Sequence, residues 1–185
     1  DHTVQYGIDP ECVFLTGDSA GAQLSLLAYC VNQYTEFQKL FSVTPVNFSF
    51  HGLILNHGVC YLNEAASIPR FKILSSCFLN PGLQRMLYGD HYSKSELYLH
   101  TVVPERYIFP STELPPVLLI TSAGDSAFSY QTQKLYDELK LLGKNCVCYC
   151  EEDASAQHVF NIADPDSCAG MQCNQQILTF IREHT

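Results

Sequence analysis

Five residues, Gly17-Asp18-Ser19-Ala20-Gly21, constrain this chain more than any other feature, because of what flanks them. They follow directly on an apolar run at 12–16 (CVFLT). They open directly into 20–32, where Leu24, Leu27, Ala28 and Val31 recur at helical spacing. A Gly-x-Ser-x-Gly pattern at a strand-to-helix junction makes a tight turn that holds the serine in a strained backbone conformation. Glycines on both sides, Gly17 and Gly21, are expected to keep side chains off the neighbouring strand and helix. The helix N-terminus would aim backbone N–H groups, that of Ala20 first, at negative charge developing beside the serine. Five such residues recur by chance in many proteins; the strand before and the helix after give them weight.

Three further apolar runs, GLILN at 52–56, VLLITS at 117–122 and NCVCYC at 145–150, also lack polar alternation. Runs of this length suit strands buried on both faces, as in a parallel sheet. Between and after them lie helical patterns. One at 128–142 carries Phe128, Leu135, Leu139 and Leu142, with Gly143 as its C-cap. Another at 171–183 carries Ile177, Leu178 and Ile181. Strand and helix in alternation imply an α/β fold built on a mainly parallel sheet. The stretch 58–115 differs: it holds five of the nine prolines, scattered aromatics and no convincing strand. A helix at 83–100 is expected there, within a lid-like or substrate-shaping insertion in a single domain spanning 1–185.

Composition narrows the function. With 46% apolar and 16% charged residues the chain is no disordered segment. A net charge of −9 opposes binding to nucleic acid, which demands a basic footprint, and docking on an anionic membrane. A small neutral substrate fits better. No apolar run approaches the roughly 18 residues that span a bilayer, and the first residues show no signal-peptide pattern. Nine cysteines cannot all pair. Cys146, Cys148 and Cys150 alternate on one strand face, too far apart for an easy disulfide and without the C-x₂-C spacing of zinc sites. They read as small buried apolar residues, Cys168 and Cys173 add no pattern, and a reducing compartment such as the cytoplasm is preferred. His2, His51, His57, His91, His100 and His184 form no metal-binding pattern, so neither metal nor cofactor is expected. His57, at a strand end, could reach a substrate pocket, but a hydrogen-bonded structural histidine is the better reading. The Asn47-Phe48-Ser49 sequon adjoins a buried strand and reads as incidental.

A serine hydroxyl is a weak nucleophile that needs a base, itself oriented by an acid. In folds with this elbow the order is serine, acid, histidine, the last two on loops after strands. Here 117–122 exits into Ala123-Gly124-Asp125, and 145–150 leads through 151–157 to His158. Asp125 and His158 are the candidates. Asp153, in the histidine loop, is the rival acid, and Asp18 reads as a structural turn residue.

The stretch YGIDPECVFLTGDSAGAQLSLLAY resembles the nucleophile segment of the hormone-sensitive-lipase-like α/β-hydrolases, a family that includes the arylacetamide deacetylases. LPPVLLITSAGD resembles that family's acid-bearing strand, and His158-Val159-Phe160 its histidine motif; the likeness covers most of the chain outside 58–105. The resemblance implies Ser19 as nucleophile, Asp125 as orienting acid, His158 as general base and the Ala20 N–H as an oxyanion donor. It implies hydrolysis of carboxylic esters with short or medium acyl chains, although amides or lactones would use the same residues. The alternatives are a non-catalytic small-molecule binding protein of the same fold and an inactive fragment of an esterase. Three departures stand out: Ala22 replaces a second glycine, Ser126-Ala127 replace proline and leucine, and no upstream H-G-G motif supplies further oxyanion donors. His57-Gly58 follows the serine and is no substitute for that motif. The resembling fold places several strands before the nucleophile strand. On that ground the chain is expected to begin inside the fold, with the 12–16 strand as an unpaired edge. Such a chain would be poorly active and prone to self-associate as a homo-oligomer, unless a missing N-terminal segment completes it.

Overall fold

The computed structural model describes residues 3–46, 49–61, 85, 90 and 104–185. Four strands, β1 (Phe14–Asp18), β2 (Gly52–Asn56), β3 (Val117–Ser122) and β4 (Cys146–Glu151), form one sheet in the order β1-β2-β3-β4. Every pair is parallel, with Leu15 opposite Leu53, Leu53 opposite Val117, and Val117 opposite Cys146. The helices are α1 (Thr3–Tyr6), α2 (Ala20–Gln33), α3 (Thr35–Phe41), α4 (Ser129–Leu141), α5 (Phe160–Ala163) and α6 (Cys168–Glu183). A 3₁₀ turn spans Pro104–Arg106.

Strand alternation splits the interior into two layers. Leu53, Leu55, Val117 and Leu119 face Leu26, Leu27 and Cys30 of α2 and Leu135 and Leu139 of α4. Their neighbours Ile54, Leu118 and Ile120 face the other way, onto Phe160 of α5 and Cys173 and Phe180 of α6. Helices therefore cover both faces, as a parallel sheet requires. Local chemistry ends these helices as expected. Gly143 takes φ +69 after α4 while the Lys144 N–H returns to Leu139 O at 2.9 Å. The Ser167 hydroxyl caps α6 by accepting from the Gly170 N–H at 3.0 Å.

The structure corrects two expectations about the strands. Burial on both faces holds for β2 and β3 throughout, but β1 and β4 lie at the edges of the described sheet, and Val147 is 50% exposed. Apolar composition alone does not reveal which run has a neighbour on both sides. The first strand also starts two residues later than its apolar run and continues through Gly17 and Asp18. Pairing decides this, since Gly17 and Asp18 stand opposite Leu55 and Asn56.

The three alternating cysteines are graded rather than uniformly buried: Cys146 is buried, Cys148 half-buried and Cys150 exposed at the strand's end. The eight described cysteines are free thiols. Burial pushes the Cys30, Cys60, Cys148 and Cys173 thiols up to about 12, which leaves them inert as nucleophiles. The expected helix at 83–100 lies outside the described residues, save Arg85 and Asp90, and so does most of the 58–115 insertion. Its described flanks are held down. Tyr61 is buried and its N–H donates to Gln131 Oε1 of α4 at 3.0 Å. The sequon positions 47 and 48 are likewise outside the described residues. No helix of the described residues is long and apolar enough to cross a membrane.

Candidate active site

All four strands run the same way, so their C-terminal ends share one edge of the sheet, where open α/β folds build their sites. Ser19 leaves β1 there with φ 56 and ψ −119, in a region that residues with a side chain rarely occupy. Its backbone is pinned on both sides: the N–H donates to Asn56 O at 2.8 Å, and its carbonyl accepts from Ala22 and Val59 N–H at 3.1 and 3.3 Å. A serine at a helix N-cap ordinarily bonds the first turn through its hydroxyl. Here it makes no cap bond, and the Oγ is left without a partner among the described residues. Ala20 begins α2, so its N–H has no acceptor within the helix.

The two elbow glycines are not equivalent. A Cβ on Gly17 would collide with Gly21 O and sit 2.7 Å from Ser25 Oγ, whereas one on Gly21 would meet nothing within 4 Å. The expectation that both glycines relieve crowding therefore holds for Gly17 only. The close approach is made by the Gly21 carbonyl, not by its α-carbon. Ala22, in place of the second glycine, is accommodated in the core.

Asp125 follows the tight turn after β3. Its Oδ1 accepts from Phe128 and Ala127 N–H at 3.1 and 3.3 Å, and its Oδ2 lies 2.7 Å from His158 Nδ1. The carboxylate side chain is 2% exposed and the imidazole 29%. Burial alone would raise this carboxyl, but the hydrogen bond and charge of His158, the Phe128 N–H and the nearby His57 outweigh it and hold it below its ordinary value. Asp125 is thus an acceptor, which makes His158 Nδ1 the donor and leaves Nε2 its free lone pair. Asp153 is exposed and turned to its own loop, accepting from the Ser155 N–H and hydroxyl at 2.8 Å each. Asp18 accepts from Asn56 Nδ2 at 2.7 Å.

The acid and histidine loops are locked together. A Cβ on Gly124 would collide with Ala156 O and lie 2.6 Å from Ala154 O, both in the loop before His158. Gly124→Ala is therefore expected to cost about 1–3 kcal/mol, a fall of roughly 2–4 °C in Tm per kcal/mol. Gly21→Ala should change stability by no more than about 0.5 kcal/mol. Thermal melts of the two variants, side by side, check both.

Four described non-glycine residues have positive φ: Ser19, Ser42, His57 and Val159. Three of these border the site, where backbone strain tends to be stored. His57 is fully buried, and both of its nitrogens have partners: Nδ1 at 2.8 Å from Asn56 Oδ1, Nε2 at 3.3 Å from Ser122 Oγ. It is the hydrogen-bonded histidine the sequence suggested, but its ring also stands edge-on to His158 with centroids 5.4 Å apart. Phe128 packs on the His158 ring from another side at 5.1 Å. No hydrogen bond joins Ser19 Oγ to His158 among the described residues. The two segments meet through Asn56 and His57, which hold the Ser19 N–H and the His158 ring respectively. Sequence reasoning passed over Asn56 and Ser122; their one signal was a polar residue closing an apolar strand. Among the described residues, no group of three or more His, Cys, Asp and Glu could hold a metal ion.

Burial lowers the His57 pKa to about 4, with Asp125 opposing and His158 reinforcing the shift. Between 6.5 and about 4 the unfolded chain gains a proton that the folded chain refuses, so stability falls on acidification through that window. The loss should reach about 3 kcal/mol by pH 4, and the depressed Asp125 adds to it at lower pH still. Urea unfolding at pH 7 and pH 4.5 should show a smaller difference in His57→Gln than in the native protein.

The architecture is shared with solved esterases. The fold superposes on esterase B from Lactobacillus rhamnosis with a TM-score of 0.81 and 22% identity, covering 98% of this chain and 56% of that one. The same esterase inhibited by a C4-C4 tributyrin phosphonate gives 0.77 and 23%, over 98% and 56%. An esterase from Rhizomucor miehei gives 0.70 and 18%, over 99% and 55%. The chain thus spans a little over half the length of these proteins. No curated protein sequence matches it. The family model BD-FAE matches residues 1–139, a span that carries the Ser19 elbow and Asp125 and ends within α4. The chain belongs to the BD-FAE family, an esterase family of the α/β-hydrolase fold.

Proposed function

We propose that the protein is a serine hydrolase that cleaves small, neutral carboxylic esters through an acyl-enzyme on Ser19. One observation carries this reading. A serine held at φ 56 in a strand-to-helix elbow, its hydroxyl unused by the helix, shares the sheet edge with a buried carboxylate bonded to an imidazole at 2.7 Å. Ser19 Oγ attacks the ester carbonyl while His158 Nε2 takes its proton, and the Ala20 N–H donates to the oxygen on which charge gathers. Asp125 stays ionised, keeps the proton on Nδ1 and stabilises the imidazolium. His158 then protonates the departing alcohol, and water hydrolyses the acyl-enzyme with His158 again as base.

Short or medium acyl chains are the favoured substrates. The sequence resemblance supports this, as does the tributyrin phosphonate that inhibits the similar esterase B. The net charge of −9 favours an uncharged ester over an anionic one. The test is reaction with a fluorophosphonate followed by peptide mapping, beside hydrolysis of p-nitrophenyl acetate, butyrate and octanoate. Label on Ser19, with turnover greatest for the shorter esters, supports the reading. A protein that leaves Ser19 unlabelled and turns over none of them would be a binding protein of the same fold.

A further inference from the structure

We propose that His57 is a positioning residue for His158, the middle of a hydrogen-bonded belt that crosses the C-terminal ends of the strands and joins the Ser19 elbow to the histidine loop. The inference rests on the hydrolase reading for its kinetic consequence, but its structural content is independent of it.

The belt can be followed atom by atom. Asp18, at the end of β1, accepts from Asn56 Nδ2 at 2.7 Å; the same nitrogen donates to Asn161 Oδ1 of α5 at 3.0 Å. Both hydrogens of that amide are thereby committed, so Asn56 Oδ1 is an acceptor and the His57 Nδ1 beside it, 2.8 Å away, must carry the proton. A neutral His57 then presents a bare lone pair on Nε2 to Ser122 Oγ at 3.3 Å, at the end of β3. The Ser122 hydroxyl donates to Ala156 O at 2.7 Å. Its single proton serves two acceptors, the carbonyl more closely than the imidazole.

The two ends of this belt bracket one residue. Asn56 holds Asn161, three positions after His158, and His57 reaches Ala156, two positions before it, through Ser122. His57 also touches the bracketed residue directly, ring edge to ring, and stands at 5.6 Å and 78° to Phe160. On the other side the belt holds the nucleophile, because Asn56 O accepts the Ser19 N–H. The distance between the proposed nucleophile and base is thus set across β2 by two adjacent residues, Asn56 and His57. The positive φ of His57 fits such a role: a non-glycine residue keeps φ 50 only where its surroundings over-determine it. Asp125 and His158 are the titratable groups acting on His57, and the burial that lowers its pKa to about 4 keeps it neutral, so it places no charge beside the imidazolium that forms on His158.

The test compares His57→Phe, His57→Asn and Ser122→Ala with the native protein. The measurements are kcat and KM for p-nitrophenyl butyrate, and the low-field proton resonance of the His158 Nδ1–H recorded without substrate. His57→Phe retains a ring but neither nitrogen. It should lower kcat roughly 10- to 100-fold, the range that misplacement of a reacting group by about 1 Å produces, with KM changed less than about threefold. The Nδ1–H resonance should shift or broaden in the same variant. His57→Asn keeps a donor for Asn56 Oδ1 and tolerates the backbone angle, so it should recover part of the loss. If His57→Phe does not fold, Ser122→Ala, a smaller change at the far end of the belt, should show both effects in milder form. Folded variants with kcat within twofold of native and an unmoved resonance overturn the proposal. The resonance decides the matter even if Ser19 proves unreactive towards fluorophosphonate, an outcome that would sink the hydrolase reading but not the belt.

Discussion

Asp125→Asn is expected to lower ester turnover by about 10⁴-fold while leaving the protein folded. The isosteric amide can keep the contacts that shape the turn, since its oxygen can still accept from the Phe128 and Ala127 N–H groups. It cannot keep the contact with His158. An amide NH₂ in place of Oδ2 meets the imidazole Nδ1 at 2.7 Å with a donor, so Nδ1 must give up its proton and Nε2 must carry one. A protonated Nε2 has no lone pair with which to deprotonate Ser19. The corresponding change at Asp153 has none of these consequences, because among the described residues that exposed side chain accepts only from Ser155, which an amide oxygen can do equally well. Asp153→Asn should stay within about threefold of native turnover, an effect worth less than about 0.7 kcal/mol. Steady-state kinetics of the two variants, with far-UV circular dichroism to confirm folding, give the comparison. Greater damage from Asp153→Asn would show that the acid is misassigned.

Ser19→Ala and His158→Ala should each remove nearly all esterase activity, again a drop of order 10⁴ or more, and the double variant should be little worse than either single one. Non-additivity is the discriminating feature. If both residues act in one proton-transfer step, removing the second partner takes away nothing that the first has left working. Stability should respond differently in the two cases. The Ser19 hydroxyl makes no hydrogen bond among the described residues, so its loss leaves no buried group stranded. Removing His158 strips Asp125 of its Oδ2 partner and exposes a 2%-accessible carboxylate to an unpaired environment, which costs about 1–3 kcal/mol or more. Turnover within tenfold of native in purified Ser19→Ala would remove the serine from the mechanism.

Much of this protein can be read from local pattern. Apolar runs and 3.6-residue spacing locate the four strands and the helices α2, α4 and α6, because burial and helix geometry act over a few residues at a time. The elbow is legible for the same reason: Gly17, Ser19 and the helix that follows are contiguous, and the steric demand at Gly17 arises within the motif itself. So are the positions of Asp125 and His158, each lying just past a strand in a fold whose parallel strands end on one edge. The short helices α1, α3 and α5 leave no such pattern. α3 (Thr35–Phe41) is only two turns long, and its Phe37 finds partners in Tyr107 and the α2 core rather than in a repeating pattern.

What tertiary structure alone decided is which of these pieces meet. The order β1-β2-β3-β4 leaves β4 at an edge, and so exposes Val147 and Cys150, although their run is as apolar as the central ones. Asp125 and Asp153 both compete for His158 in the sequence, and the fold gives the imidazole to Asp125, 33 positions away, rather than to Asp153 in its own loop. His57 carries no local mark of the role proposed for it. Apart from the adjacent Asn56, its partners come from β3 and from the segment after β4, tens of residues away, and they converge only when the parallel pairings set the strand ends in register. Local periodicity is written in neighbouring residues, whereas a hydrogen bond across strand ends depends on the register of every pairing between them, and no short stretch of sequence contains that.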